Sequence, residues 1–103
     1  MDKHHQKGLF SIMASIKIPT PLRVYTNNTA QVTVSGDTVG AALNDLISQF
    51  PELEPHLFKD GELRNFVNIF IGDEDARFLQ GLETSIEDNT ALRIIPSIAG
   101  GVI

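Results

Sequence analysis

One amphipathic helix, set between two pairs of short alternating segments, constrains this chain more than any other feature. Val39, Ala42, Leu43, Leu46, Ile47 and Phe50 recur at helical spacing and make a single apolar stripe. Asn44, Asp45, Ser48 and Gln49 fall on the other side. Asp37 or Thr38 is placed to cap the first turn by accepting from an orphan backbone N–H, and Pro51 stops the helix. Such a stripe must be buried, and the neighbouring segments offer strands to bury it against.

Those segments alternate with period two. Ser15-Ile16-Lys17-Ile18 reads as a half-buried strand ended by Pro19 and Pro21, and Gln31-Val32-Thr33-Val34-Ser35 as a second, closed by Gly36. Residues 22–29, with the turn-prone Asn27-Asn28, form a long loop between them, so the two strands suit an antiparallel hairpin. After the helix, residues 52–58 read as a short second helical piece and Asp60-Gly61 as a turn. Phe66 to Ile71 predicts a third strand, Gly72 to Asp75 a turn, and Ala76-Arg77-Phe78 a short return strand. Residues 79–90 read as an irregular crossover. Leu92-Arg93-Ile94-Ile95 is the last strand, ended by Pro96, and 97–103 run out as a flexible tail.

Three units follow: residues 1–13 as a flexible leader or an expression remnant, 14–96 as the domain, and 97–103 as the tail. The expected class is α+β, with a mixed sheet of four to five strands and one main helix on one face. A hairpin, a crossing helix and later strands in one sheet is the β-grasp plan, although the pattern alone does not require that topology. Alternation places Ile16, Ile18, Val32, Val34, Val67, Ile69, Ile71, Leu92 and Ile94 on the inner face. Asn68, Phe70, Arg93 and Ile95 then point outward, which makes Phe70 and Ile95 a candidate partner patch.

Composition narrows the chemistry. With 103 residues the chain is one domain, and 42% hydrophobic residues suit a packed globule rather than disorder. No apolar run reaches membrane-span length, and no segment reads as a signal peptide, so a cytoplasmic location is the default. Cysteine is absent, which excludes disulfides and thiol chemistry. The net charge of -5 disfavours nucleic acid and suits a partner with a basic docking surface. Asp73-Glu74-Asp75 lacks the spaced ligands of a calcium loop and reads as a solvated turn. His4-His5 sits in the leader without further ligands, and His56, beside Pro55, reads as a surface residue. No catalytic set and no metal site emerges, and the chain is not expected to be an enzyme.

Gly100-Gly101, just after the closing strand, is the informative feature. Glycine has no Cβ, so a Gly-Gly segment is thin and can thread a narrow channel in another protein. Residues 14–101 resemble the ubiquitin-like sulfur carriers: those of thiamin synthesis, the small subunit of molybdopterin synthase and, nearest, the carrier of a bacterial cysteine pathway. The likeness lies in Gly36 to Ala41, in Phe66 to Phe78, and in Ile95-Pro96-Ser97-Ile98-Ala99-Gly100-Gly101.

That resemblance implies a carrier or co-substrate that binds no cofactor itself. An ATP-dependent enzyme of the ubiquitin-activating type would adenylate the Gly101 carboxylate, and a sulfur donor would convert it to a thiocarboxylate. Ala99 and Gly100 would be recognised as part of the tail. A pyridoxal-phosphate cysteine synthase, or another acceptor enzyme, would take the sulfur. The family's active form ends at the second glycine, whereas here Val102-Ile103 follows. The resemblance therefore implies a pro-form cut between Gly101 and Val102 by a JAMM-type zinc metalloprotease. A protein modifier conjugated through Gly101, a molybdopterin synthase small subunit, and a purely non-covalent interaction domain are the alternatives. No nucleic-acid or membrane partner is implied.

Overall fold

The computed structural model describes residues 12–96. Strand β1 (Met13–Lys17) pairs antiparallel with β2 (Gln31–Ser35), Ile16 facing Val32 and Ala14 facing Val34. Helix α1 (Val39–Gln49) follows, then a short helix α2 (Glu54–Leu57). A small hairpin joins β3 (Phe58–Lys59) to β4 (Glu62–Leu63). Strands β5 (Val67–Ile71), β6 (Glu74–Asp75) and β7 (Ala91–Pro96) complete the main sheet. Its order is β2-β1-β7-β5-β6, a mixed five-stranded sheet with one main helix on one face.

The core is the meeting of the two apolar patterns. Ile16, Val34, Leu43, Leu46 and Leu92 have no exposed surface, and Val67, Ile69 and Ile94 are buried with them. Burying a Leu or Ile side chain is worth roughly 1.5–3 kcal/mol against leaving it exposed, so this face of the sheet dominates stability. Ile71, Phe50 and Leu82 pack around its rim. Thr38 is the cap: its hydroxyl accepts from the Ala41 N–H at 3.0 Å. Asp37 instead offers its backbone carbonyl to Ile86.

Several local expectations are corrected. The loop at 22–29 is mostly a 3-10 helix, Thr20–Thr26, closed by Asn27 and Asn28 with positive φ. Thr26 is fully buried there, and its hydroxyl donates to the Thr29 carbonyl. The return strand is not Ala76–Phe78 but Glu74–Asp75, two residues earlier, because Gly72 at φ 63 lets the chain reverse within two residues. Ala76–Phe78 is a 3-10 turn capped by the Asp75 carboxylate, which accepts from the Arg77 N–H. The β3–β4 hairpin around Asp60-Gly61 was foreseen only as a turn. The closing strand runs through Pro96 rather than stopping before it, since β1 pairs only as far as Arg93 and Pro96 sits where β7 has become an edge on that side.

Among the described residues no helix is long and apolar enough to cross a membrane.

Candidate functional site

The strand that leads into the Gly-Gly segment is the central one. β7 lies between β1, with which it pairs in parallel (Ile16 facing Leu92), and β5, with which it pairs antiparallel (Ile69 facing Ile94). Its last residue, Pro96, faces Val67. β1 pairs with β7 only as far as Arg93, so the chain leaves the sheet from residues held by β5 alone. Ala99, Gly100, Gly101 and Val102 lie outside the described residues.

Beside that exit, the register puts Phe70 and Ile95 on the face α1 does not cover. Phe70 faces Arg93 and Asn68 faces Ile95, so the two apolar side chains are diagonal neighbours rather than directly opposed. Both are half-buried, not fully exposed. The Arg93 guanidinium explains the cover on Phe70. It stacks 5.5 Å from the ring centroid and donates to the Gly72 carbonyl at 2.8 Å.

The charge of this outer face differs from that of the whole chain. Lys17 lies beside Arg93 across the parallel pair. Arg77 reaches back along β5, donating to the Asn68 side chain at 2.6 Å and to the Arg64 carbonyl at 2.7 Å. Among the described residues, none of the outward positions on β1, β2, β5 and β7 is acidic. The net charge of -5 is therefore unevenly spread, with cationic and neutral groups on these four strands and acidic ones elsewhere. The sum of the charges hides where they sit.

The acidic turn at the far edge of the sheet is separate. Asp73 and Glu74 are exposed, while Asp75 caps the following 3-10 turn. Among the described residues, no group of three or more His, Cys, Asp or Glu side chains is arranged to hold a metal ion. His56 is half-buried, with its ring stacked 4.2 Å from that of Tyr25. That packing accounts for a residue read from sequence as merely superficial. Sequence reasoning also passed over Phe78, which is 86% exposed. It looked apolar and short-range alternation assigned it to a strand, so its exposure left no signal.

The same fold recurs in known proteins. The ThiS family matches residues 16–101. The sulfur carrier protein CysO of Mycobacterium tuberculosis is 41% identical over 90 residues, covering 84% of this chain and 97% of its own. A chain in the crystal structure of the Amycolatopsis orientalis BexX/CysO complex superposes with a TM-score of 0.79 at 36% identity, covering 85% of this chain and 99% of that one. The solution structure of small archaeal modifier protein 1 from Methanosarcina acetivorans also reaches 0.79, at 28% identity, covering 88% and 98%. These relatives share the β-grasp sheet and are named as carriers or modifiers. The chain belongs to the ThiS family, and it is a β-grasp carrier protein rather than an enzyme.

Proposed function

We propose that this protein carries sulfur as a thiocarboxylate on Gly101, after Val102-Ile103 has been removed. The family match that runs through Gly101 supports this reading most directly. The Gly-Gly segment's place just after β7, a strand of the main sheet, supports it further. A JAMM-type zinc protease hydrolyses the Gly101–Val102 bond and frees the carboxylate. An adenylating enzyme of the ubiquitin-activating type joins that carboxylate to the α-phosphorus of ATP, and pyrophosphate leaves. Hydrosulfide from a sulfur donor adds to the acyl carbon and AMP departs. A carboxylate is a poor electrophile, and AMP is the leaving group that makes substitution feasible. The acceptor is a pyridoxal-phosphate cysteine synthase or another enzyme that makes a sulfur-containing metabolite. The pathway belongs in the cytoplasm, where ATP is available to the activating enzyme.

Protein ending at Gly101, incubated with its adenylating enzyme, ATP and sulfide, is expected to gain the mass of one sulfur in place of one oxygen. Intact-protein mass spectrometry reads this directly, and no change would refute the carrier reading. Similarity to small archaeal modifier proteins favours a second reading, conjugation of Gly101 to target lysines. That reading predicts an isopeptide-linked remnant on a target instead of a stable thiocarboxylate.

In this reading the outer face contacts the adenylating enzyme. Phe70→Ala and Ile95→Ala are each expected to weaken that binding by about 2 kcal/mol, the scale of an interface anchor. Phe70→Ala also loses the Arg93 stacking, worth ~1 kcal/mol of stability. Titration calorimetry and melting curves separate the two effects. Unchanged affinity with a large fall in melting temperature would assign both side chains to folding alone.

A further inference from the structure

Among the described residues the main sheet has two open edges, β2 and β6. An open edge presents unpaired N–H and C=O groups, a template on which another strand can form. β6 is only Glu74 and Asp75, so shortness and charge close that edge. β2 has neither protection. It runs through Gln31-Val32-Thr33-Val34-Ser35, with no charged residue and no proline. Its Val and Thr residues favour strand pairing.

The pairing with β1 fixes which backbone groups of β2 face outward. The Ile18 N–H donates to the Ala30 carbonyl at 2.8 Å, and the Gly36 N–H donates to the Ile12 carbonyl at 2.9 Å. In the same register Val32 lies opposite Ile16 and Val34 opposite Ala14. Antiparallel bonds alternate along a strand, so Val32 and Val34 turn their backbone groups to β1, and Gln31, Thr33 and Ser35 turn theirs to the open edge. Helix α1 takes two of those outward groups. The Ser35 N–H donates to Asp45 Oδ2 at 3.0 Å, and Gln49 Nε2 donates to the Thr33 carbonyl at 3.0 Å. Gln49 Nε2 also donates to the same Asp45 oxygen at 3.1 Å, which ties the two side chains together. Residues four apart on a helix share a face, and Leu46, between them in sequence, has no exposed surface. The buried stripe of α1 therefore holds Asp45 and Gln49 in place over the edge.

The strand that fits this edge is β2 of a second copy. Placed antiparallel about a two-fold axis at Thr33, the two strands set Thr33 against Thr33 and Gln31 against Ser35. All of these residues turn their backbone groups outward, so the ladder would be in register. Their side chains are neutral, so no like charges oppose the pairing. We propose that Asp45 and Gln49 guard the β2 edge against this self-pairing: they occupy the Ser35 N–H and the Thr33 carbonyl, which a second copy would need. Residues on the polar side of α1 thereby do more than face water, since they close the one long edge that the sheet's own sequence leaves open.

The test uses the full chain. Sedimentation velocity over a range of concentrations reads association, and circular dichroism checks the fold. The parent chain is expected to be a monomer. The double variant Asp45→Ala, Gln49→Ala is expected to dimerise at least about a hundredfold more tightly than the parent, because two backbone groups on each copy become free to bond across the axis. Adding Thr33→Lys to the double variant should return it to a monomer, since two like charges then meet at the axis. Hydrogen exchange on the parent gives an independent reading. The Ser35 N–H should exchange at least about tenfold more slowly than the Thr33 N–H, once each is corrected for its intrinsic rate, because only the first is held by a side chain. A double variant that stays monomeric overturns the guard. So does a dimer that persists with Thr33→Lys, since it uses another surface, and so does equal exchange at Ser35 and Thr33. Should the double variant fail to fold, Gln49→Ala alone, at an exposed position, is measured in its place, and association no greater than the parent's overturns the proposal.

Discussion

Protein carrying Val102-Ile103 should give no acyl-adenylate with the adenylating enzyme, whereas protein ending at Gly101 should give it readily. The expected difference is all or none because it is covalent. While Gly101 is followed by Val102, its carbonyl carbon is an amide, and the resonance that makes the peptide bond planar also removes the nucleophilic oxygen anion. No binding energy elsewhere on the carrier can substitute for the missing carboxylate. Adding a zinc metalloprotease of the processing type should restore exchange to the longer protein, and protease stripped of its zinc beforehand, with the chelator removed before the assay, should not. ATP–pyrophosphate exchange with purified enzyme decides the point. Efficient exchange by the longer protein without protease would remove the need for processing. Gly101→Ala in the trimmed protein should exchange more slowly, since a channel shaped for glycine has no room for a Cβ.

The face assignments were legible because they rest on a strict rule. Period-two alternation in β1, β2, β5 and β7 sorts Ile16, Val34, Ile69 and Leu92 from Lys17, Thr33, Phe70 and Arg93, and a one-residue error would have inverted every strand. The helix stripe was equally plain, with Val39, Ala42, Leu43 and Leu46 all buried. The edge of the sheet was not legible. β6 has two residues, too few to show any period, so it was misplaced onto Ala76–Phe78. The same error hid Phe78, which a strand would have half-buried and a 3-10 turn leaves in water. Exposure of Phe70 was overestimated for a different reason. Alternation tells which face a side chain takes, but not that Arg93 on the next strand folds over its ring. The total charge of -5 does not tell where charge sits: among the described residues the outward positions of β1, β2, β5 and β7 carry only cations and neutral groups, while β6 is Glu74–Asp75. The family likeness reached further than any of these local rules because it drew on whole stretches, Phe66 to Phe78 among them.

Gly36→Ala is expected to be among the most destabilising single-methyl changes in the domain. Gly36 joins β2 to the cap of α1, and its N–H donates to the Ile12 carbonyl at 2.9 Å. A Cβ there would stand 2.7 Å from the Ala42 nitrogen, 2.8 Å from the Ala41 carbonyl carbon and 2.9 Å from the Ala41 Cβ. Two of those three atoms are helix backbone, so no side chain can rotate away. Either α1 lifts from the sheet or β2 shifts, and both routes open the packing of α1 on β2, where Val34 and Ala42 are buried. Overpacking of this kind costs about 1–3 kcal/mol. For a domain of this size each kcal/mol is ~4–8 °C in melting temperature, so a drop on the order of 10 °C is expected. Gly61→Ala is the control. Nothing lies within 4 Å of its added Cβ, and its φ of +82 alone carries the penalty, which is roughly 1 kcal/mol for a left-handed residue. Melting curves of the two variants should therefore differ clearly, with Gly36→Ala the lower. Equal midpoints would mean that backbone strain, not crowding against α1, governs both positions.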